Sequence, residues 1–456
     1  MFVIIEAVWG LLQFCGVVPS NHTLFGVTGS LFNPAPYAGF IAAGLPVFIA
    51  VAWSLRRSGI VLAVAVPALL LIVVSLLLAQ SRAAWIAAVA GILMWLWLLA
   101  GRKMRVVPVL IAVVAGAVAG LYFLRPDSAD GRLLIWKAAA GLIGQHPWLG
   151  AGYGRFADVY PLAQAAWFQK GTATVAEQLL ASVPAYAYNE YLRMAVETGF
   201  VGLLLLLGLA ALSIAESAKY AAQNAAAMVA FLTFAAFSYP LSVLPVAMLF
   251  VMLLSISANH SPLIFMITDS WALKYQFRIS IFPSAIIFVF CTALSISILS
   301  FYPAYCTRAY ASMLLASGDG TVAEPEFAAL YDRLQGDRIF LTEYAHCLSD
   351  IGKYGESNRI ISQELIEIAN PLIINIYAHN CGQLGMFQEA EQAWLLSEQI
   401  TPGRFYPCYR LMQLYSETGQ HEKASAAAHR LLDKPIKVPS KTISDMQAAA
   451  RQLLAR

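Results

Sequence analysis

Between residues 125 and 199 the chain gathers side chains that bind oxyanions and move protons, set among glycines. Arg132 follows Gly131. Next come His146-Pro-Trp-Leu-Gly-Ala-Gly-Tyr-Gly154, Tyr188-Asn189-Glu190-Tyr191-Leu192 with Arg193 behind it, and Glu197-Thr198-Gly199. Arginine stays protonated, and its planar fork can hold two oxygens at once. Histidine and glutamate exchange protons near neutrality, while tyrosine, with a reference pKa of about 10, does so only when strongly perturbed. A stretch with this content, wedged between apolar segments, reads as a site held at a membrane surface rather than as a linker. Gly150, Gly152 and Gly154 follow no strand, so they are not a dinucleotide fingerprint. They permit either a tight turn or close approach of a substrate.

The elements around this stretch are apolar. Of 456 residues 59% are hydrophobic and 12% charged, with mean hydropathy +0.66. Soluble domains carry about 25% charge. Residues 1–301 hold 24 of the 55 charged side chains and residues 302–456 the other 31, so a lipid-embedded part and a water-soluble tail share one chain. A net charge of +3 without a basic stripe excludes nucleic acid as a partner.

Runs near the ~20 residues needed to cross a bilayer predict an all-α fold of about nine spans. They fall at 1–17, 37–55, 60–78, 83–100, 106–124, 199–217, 221–238, 241–258 and 283–301. The pair flanking Tyr239-Pro240 also reads as one kinked or re-entrant element. The expected division is 1–124 membrane, 125–198 external loop, 199–301 membrane and 302–456 helical repeats. Arg56, Arg57, Arg102, Lys103, Arg105, Lys219, Lys274 and Arg278 then share one face, which should be cytoplasmic. Loop 125–198 and the tail fall on the opposite side, the periplasm in a bacterium. Met1 runs straight into an apolar segment containing Glu6, with no cationic leader. A start in mid-bundle suggests that helices usually found upstream are missing.

In the tail, Gly352-Lys-Tyr, Gly385-Met-Phe and Gly419-Gln-His recur at spacings of 33 and 34, and Pro371, Pro402 and Pro435 close successive units. That period is the tetratricopeptide signature, and such repeats stack into a curved surface for a peptide or protein partner. A generic helical cap is the alternative. Small residues at 357, 390 and 424 should let neighbouring helices approach closely. Cys347 and Cys381 occupy equivalent repeat positions, although four tail cysteines in an oxidising compartment leave a disulfide open. Seven dispersed histidines and no CxxC give no metal site.

Six segments in order resemble a known family: Thr28-Gly-Ser-Leu-Phe-Asn-Pro34, Gln80-Ser-Arg-Ala-Ala-Trp85, Gly131-Arg-Leu-Leu-Ile-Trp136, His146 to Gly152, Tyr188 to Leu192, and Glu197-Thr-Gly-Phe-Val-Gly202. Together they are similar to the O-antigen ligase and polymerase superfamily, over about residues 10–258, and the tail resembles repeat fusions found in one branch of it. The resemblance implies a multi-pass protein of the bacterial inner membrane that works without a metal, cofactor or nucleotide donor. It would move a glycan from an undecaprenyl-diphosphate carrier to a lipid, glycan or protein hydroxyl at the periplasmic face.

A departing diphosphate needs cations. Arg82 is the first candidate, against an interfacial arginine reaching for headgroups. Arg132 is the second, against a solvated charge near Asp130, and Arg193 could approach the same site. Ligases of the family place a histidine where this chain has Tyr188, which can still orient a hydroxyl or phosphate. His146 is a base candidate against a helix-terminating turn, and Glu197 a base or arginine partner against an ordinary interfacial carboxylate. Asn189 is expected to bond backbone or substrate, and Gly150 and Gly152 to admit substrate. A non-catalytic scaffold and a lipid-linked-sugar transporter are the competing classes.

Overall fold

The computed structural model describes residues 2–101, 126–258, 281–364 and 369–455, with 112 and 116. Among these the chain is all-α, with no strand. In order the helices are α1 (Phe2–Phe14), α2 (Pro34–Ser54), α3 (Gly59–Leu78), α4 (Arg82–Leu99), α5 (Pro126–Gln145), α6 (Phe156–Gln169), α7 (Val175–Leu180), α8 (Glu190–Tyr220), α9 (Ala222–Ala235) and α10 (Leu244–Ala258). Then follow α11 (Ile281–Ala316), α12 (Gly320–Leu334), α13 (Arg338–Asp350), α14 (Tyr354–Glu364), α15 (Pro371–Gln383), α16 (Phe387–Ile400), α17 (Tyr406–Glu417), α18 (His421–Asp433) and α19 (Lys441–Leu454). The chain forms two compact units, residues 1–156 with 185–276, and 157–184 with 277–456.

In the first unit α2, α3, α4 and α8 are long and apolar enough to cross a membrane. Their ends fall where chemistry stops or starts a helix. Asn33 Oδ1 accepts from Ala35 N at 3.0 Å ahead of Pro34 at the first turn of α2. Ser58 caps α3 in the same way. Large side chains face outward where no protein covers them, among them Val64 on α3 (66% exposed) and Leu204 on α8 (65%), as a lipid-facing surface requires. Tyr37, Ile41, Ile72, Met228, Phe231 and Phe234 are buried at the centre. Small residues bring the backbones together: a methyl at Gly91 of α4 would stand 2.9 Å from the Ala226 carbonyl oxygen of α9.

Glu6, the main charge inside a span, accepts from the Ser30 backbone N at 3.0 Å and from the Ser30 hydroxyl. Gln13 clasps the amides of Thr28 and Gly29 at 2.9 and 2.8 Å. The 28–34 segment therefore holds α1 in place. Helices α9 and α10 have 14 and 15 residues, roughly 21–22 Å at 1.5 Å each, short of a full crossing. A 3-10 turn at Pro240–Ser242 separates them. The span expected at 106–124 lies outside the described residues, apart from 112 and 116. The expected border at 302 falls inside α11, a single helix that runs from 281 to 316.

In the second unit α11 to α18 form four successive hairpins, closed by α19. Gly352, Gly385 and Gly419 sit in the turns with φ of +82°, +76° and +72°. The amide after each reaches back to a carbonyl five residues earlier at 2.8 Å. Gly318 (φ +89°) makes a fourth such turn, 34 residues before Gly352, which the sequence reading missed because Asp-Gly follows it in place of the shared pattern. Ser357, Ala390 and Ala424 are buried at helix crossings. Asn380 bridges hairpins through Ser357 (2.8 Å) and Ser349 (2.6 Å). Cys347, Cys381 and Cys408 are buried free thiols.

The middle of loop 125–198 packs on these hairpins. Gln164 is fully buried on α6 and donates to the Ile400 carbonyl, at the end of α16, at 2.7 Å. Tyr160 donates to the Gln164 side-chain Oε1 at 2.6 Å, and Asp158 pairs with Arg338. Gln169 donates to Gln399 at 2.8 Å. Thr174 and Glu177 close a capping box that starts α7.

Candidate functional site

Arg132 lies on α5 and turns toward the Tyr186–Tyr188 segment. Its guanidinium donates to the Phe237 carbonyl at 2.8 Å and covers the Tyr188 ring, 5.1 Å from its centre. Trp136, one turn on, donates from Nε1 to the Ala187 carbonyl at 2.9 Å and fixes that segment against α5. Tyr186 stacks on Tyr239 with centroids 4.1 Å apart and planes within 6°, while Tyr188 meets Tyr239 edge-on at 5.6 Å. Tyr239 follows α9, at the break that the sequence marked but did not link to the site. Tyr186 was missed as well. Its only signal was the Tyr-Ala-Tyr alternation before Asn189.

Burial holds the Arg132 guanidinium below its ordinary pKa, and the charge of Arg82 acts in the same direction, while Tyr188 and Tyr239 oppose them. Arg82, at the start of α4, is therefore within electrostatic reach of Arg132, although 50 residues separate them. Arg132 forms no ion pair among the described residues. Burial also pushes the Tyr239 phenol above its usual range, so its O–H stays a donor. A partly buried cation with a second cation near it and phenol rings around it is suited to an anion that also presents a ring or hydroxyls.

Two non-glycine residues adopt positive φ among the described residues, Gln80 at +52° and Tyr188 at +51°. One precedes Ser81-Arg82, and the other precedes Asn189 and faces Arg132. Left-handed backbone on such residues concentrates where surrounding structure imposes it, at functional sites above all. One strained residue falls on the segment that delivers Arg82, and the other on the segment that carries the Tyr186 and Tyr188 rings.

The remaining candidates form a second, structural cluster. Arg193 is buried and gives two bonds to Glu190 (2.6 and 3.2 Å) and one to Glu197 (2.8 Å). Glu197 also accepts from Phe156 N at 3.3 Å. Asn189 caps α8, its Oδ1 taking the Leu192 amide at 3.0 Å. The glycine loop docks against a kink in α8 at Gly199, where Ala151 N donates to Val196 O (2.8 Å), Gly152 N to Glu197 O (2.9 Å) and Phe200 N to Pro147 O (2.8 Å). Gly150 has φ +69°, and a methyl there would stand 2.4 Å from the Glu197 carbonyl carbon. His146 is exposed just past the end of α5, about 20 Å along it from Arg132 at 1.5 Å per residue.

Residues 67–207 match the family model described as O-antigen ligase. No curated protein matches the chain. The match supports the ligase and polymerase superfamily and an O-antigen ligase-type membrane function. It takes in Arg82, Arg132, Tyr188 and the Arg193 cluster, and stops before Tyr239 and the hairpins.

So the nine residues singled out in the sequence divide in three. Arg82, Arg132 and Tyr188 converge. Asn189 caps α8, Arg193 and Glu197 pair with one another, Gly150 and Gly152 lie in the loop docked against α8, and His146 stands apart.

Proposed function

We propose that the chain is a membrane glycosyltransferase that moves a glycan from an undecaprenyl-diphosphate carrier to an acceptor hydroxyl at the periplasmic face of a bacterial inner membrane. The observation that carries this reading is Arg132, a half-buried cation without a carboxylate partner among the described residues, set over Tyr188 inside the O-antigen ligase match. Its tail is read as tetratricopeptide repeats.

In the reaction the acceptor oxygen bonds to the anomeric carbon as the bond to the carrier phosphate breaks, and both electrons leave with the diphosphate. Arg82 and Arg132 hold that diphosphate and take up the charge developing on it, the kind of preorganised contribution worth about 10²–10³ in rate. Rings of Tyr186, Tyr188 and Tyr239 frame the sugar, and the Tyr239 O–H donates to it. Glu197 is held by Arg193, and His146 is remote, so the acceptor proton passes to the departing diphosphate. The Arg193 cluster keeps the glycine loop and the Tyr188 segment in register.

The test is the purified chain in nanodiscs, supplied with an undecaprenyl-diphosphate-linked oligosaccharide and an acceptor. Longer carrier-linked chains mark a polymerase, and glycan on a second lipid or protein marks a ligase. Equal output from wild type and an Arg82→Ala/Arg132→Ala double variant would reject the reading in favour of a scaffold. Glu6, engaged by Ser30, counts against a transporter.

A further inference from the structure

Two neighbouring cavities of about 510 and 520 Å³ lie in the second unit, where loop residues 179–183 meet the last two hairpins. Both fall in the ~300–1,000 Å³ range of small-ligand sites. They share Ser182, Arg404 and Tyr406 as a common wall. Asn375 lines one cavity and Lys437 and Thr442 the other, and neither wall includes a carboxylate. The Arg404 side chain is exposed and forms no ion pair or hydrogen bond among the described residues; only its backbone amide is engaged, by Thr401. Asn375 accepts from Ser397 through its carbonyl oxygen at 2.6 Å, and its amide N–H groups have no acceptor among the described residues. Tyr406 is 42% exposed, and its ring is fixed edge-on against the buried Trp394 at 5.6 Å.

We infer that this double cleft binds an acidic saccharide, with the carboxylate or phosphate of one sugar on Arg404, its C–H face on Tyr406 and the adjoining sugars in the two cavities. Arg404 supplies a forked donor for a planar anion. Lys437 extends the positive wall, and hydroxyl and amide groups suit sugar hydroxyls. The choice of a saccharide rests on the glycan-transfer reading above. The loop residues and the hairpins each supply part of the wall, so neither makes the cleft alone.

The test is calorimetric and saturation-transfer NMR binding of tetragalacturonate to the full chain in nanodiscs. Binding at millimolar concentration or tighter is expected, at least tenfold weaker for the methyl-esterified sugar and for Arg404→Gln. Lys437→Ala should weaken binding by a smaller factor. Circular dichroism and an unchanged melting temperature establish that each variant is folded. Arg132→Ala, which should lower transfer strongly, is expected to bind the sugar as wild type does, so the cleft and the transfer reaction fail or stand separately. The inference is overturned if the ester binds equally well, if both Arg404→Gln and Lys437→Ala bind as wild type, or if tetraglutamate binds and the sugar does not.

Discussion

The guanidinium of Arg132 lies over the ring of Tyr188, 5.1 Å from its centre, and donates to the Phe237 carbonyl, with no further hydrogen bond from its fork among the described residues. Replacing Arg132 by alanine should lower transfer from a lipid-linked oligosaccharide by about 10²–10³ at equal protein level. Lysine should restore only a small part of this, because a point charge does not reproduce the fork. Turnover of labelled donor in nanodiscs measures both, and a lysine variant with full activity would contradict bidentate holding.

Tyr188 contributes its ring and tolerates φ of +51°. Tyr188→Phe should therefore keep most activity, since the ring over Arg132 remains. Tyr188→Val should lose it, because a β-branched residue is poorly accommodated in left-handed backbone. The same turnover assay separates these outcomes. A dead phenylalanine variant would move the chemistry to the phenol.

Arg193 sits between Glu190 and Glu197 with a side chain only 7% exposed. Arg193→Leu would strand two carboxylates, a change that costs about 3–5 kcal/mol for buried pairs. The expected readout is a lower melting temperature in detergent. Replacing all three residues by apolar ones should recover much of the loss. If the single variant melts as wild type does, the cluster is not what holds the glycine loop.

Arg338 pairs with the buried Asp158 across 180 residues of sequence. Arg338→Ala together with Gln164→Ala should expose residues 157–184 to protease. Mass-mapped cleavage sites under limiting trypsin and chymotrypsin would show it. Unaltered cleavage would mean that other contacts fix the segment.

His379 accepts at Nδ1 from Arg410 at 2.8 Å, and burial followed by the Arg410 charge holds its pKa below the ordinary 6.5. The unfolded chain thus binds a proton before the folded one does. The stabilising contribution is full above pH 6.5 and is lost as pH falls from there through the lowered folded value. Melting temperature against pH should decline below 6.5 in wild type and less steeply in His379→Gln.

The all-α fold was legible because apolar runs and glycine turns are local signals. Eight of the nine expected spans overlap a described helix, and the turns at Gly352, Gly385 and Gly419 fell where the period put them. Arg82 and Arg132 were legible as cations, and their proximity was not, since nothing local relates residues 50 apart. Tyr239 carried its signal as a helix breaker beside Pro240, which masked its role as a ring. Glu197 read as a base, an arginine partner or an interfacial carboxylate, and its bond to Arg193 was not visible as a contact in the sequence. That residues 157–184 belong with the hairpins was invisible, because Gln164 finds its partner through a backbone carbonyl, which has no sequence identity.

The 236 residues between Gln164 and Ile400 have a temporal meaning. At ~5–20 residues per second of synthesis, the carbonyl that Gln164 needs emerges roughly 10–50 s after it does. Until then α6 holds a polar side chain and a buried tyrosine with nothing to cover them. Maturation of the protein is thus tied to completion of its far end, and a ribosome that stalls before residue 400 leaves an unfinished loop beside Tyr186 and Tyr188.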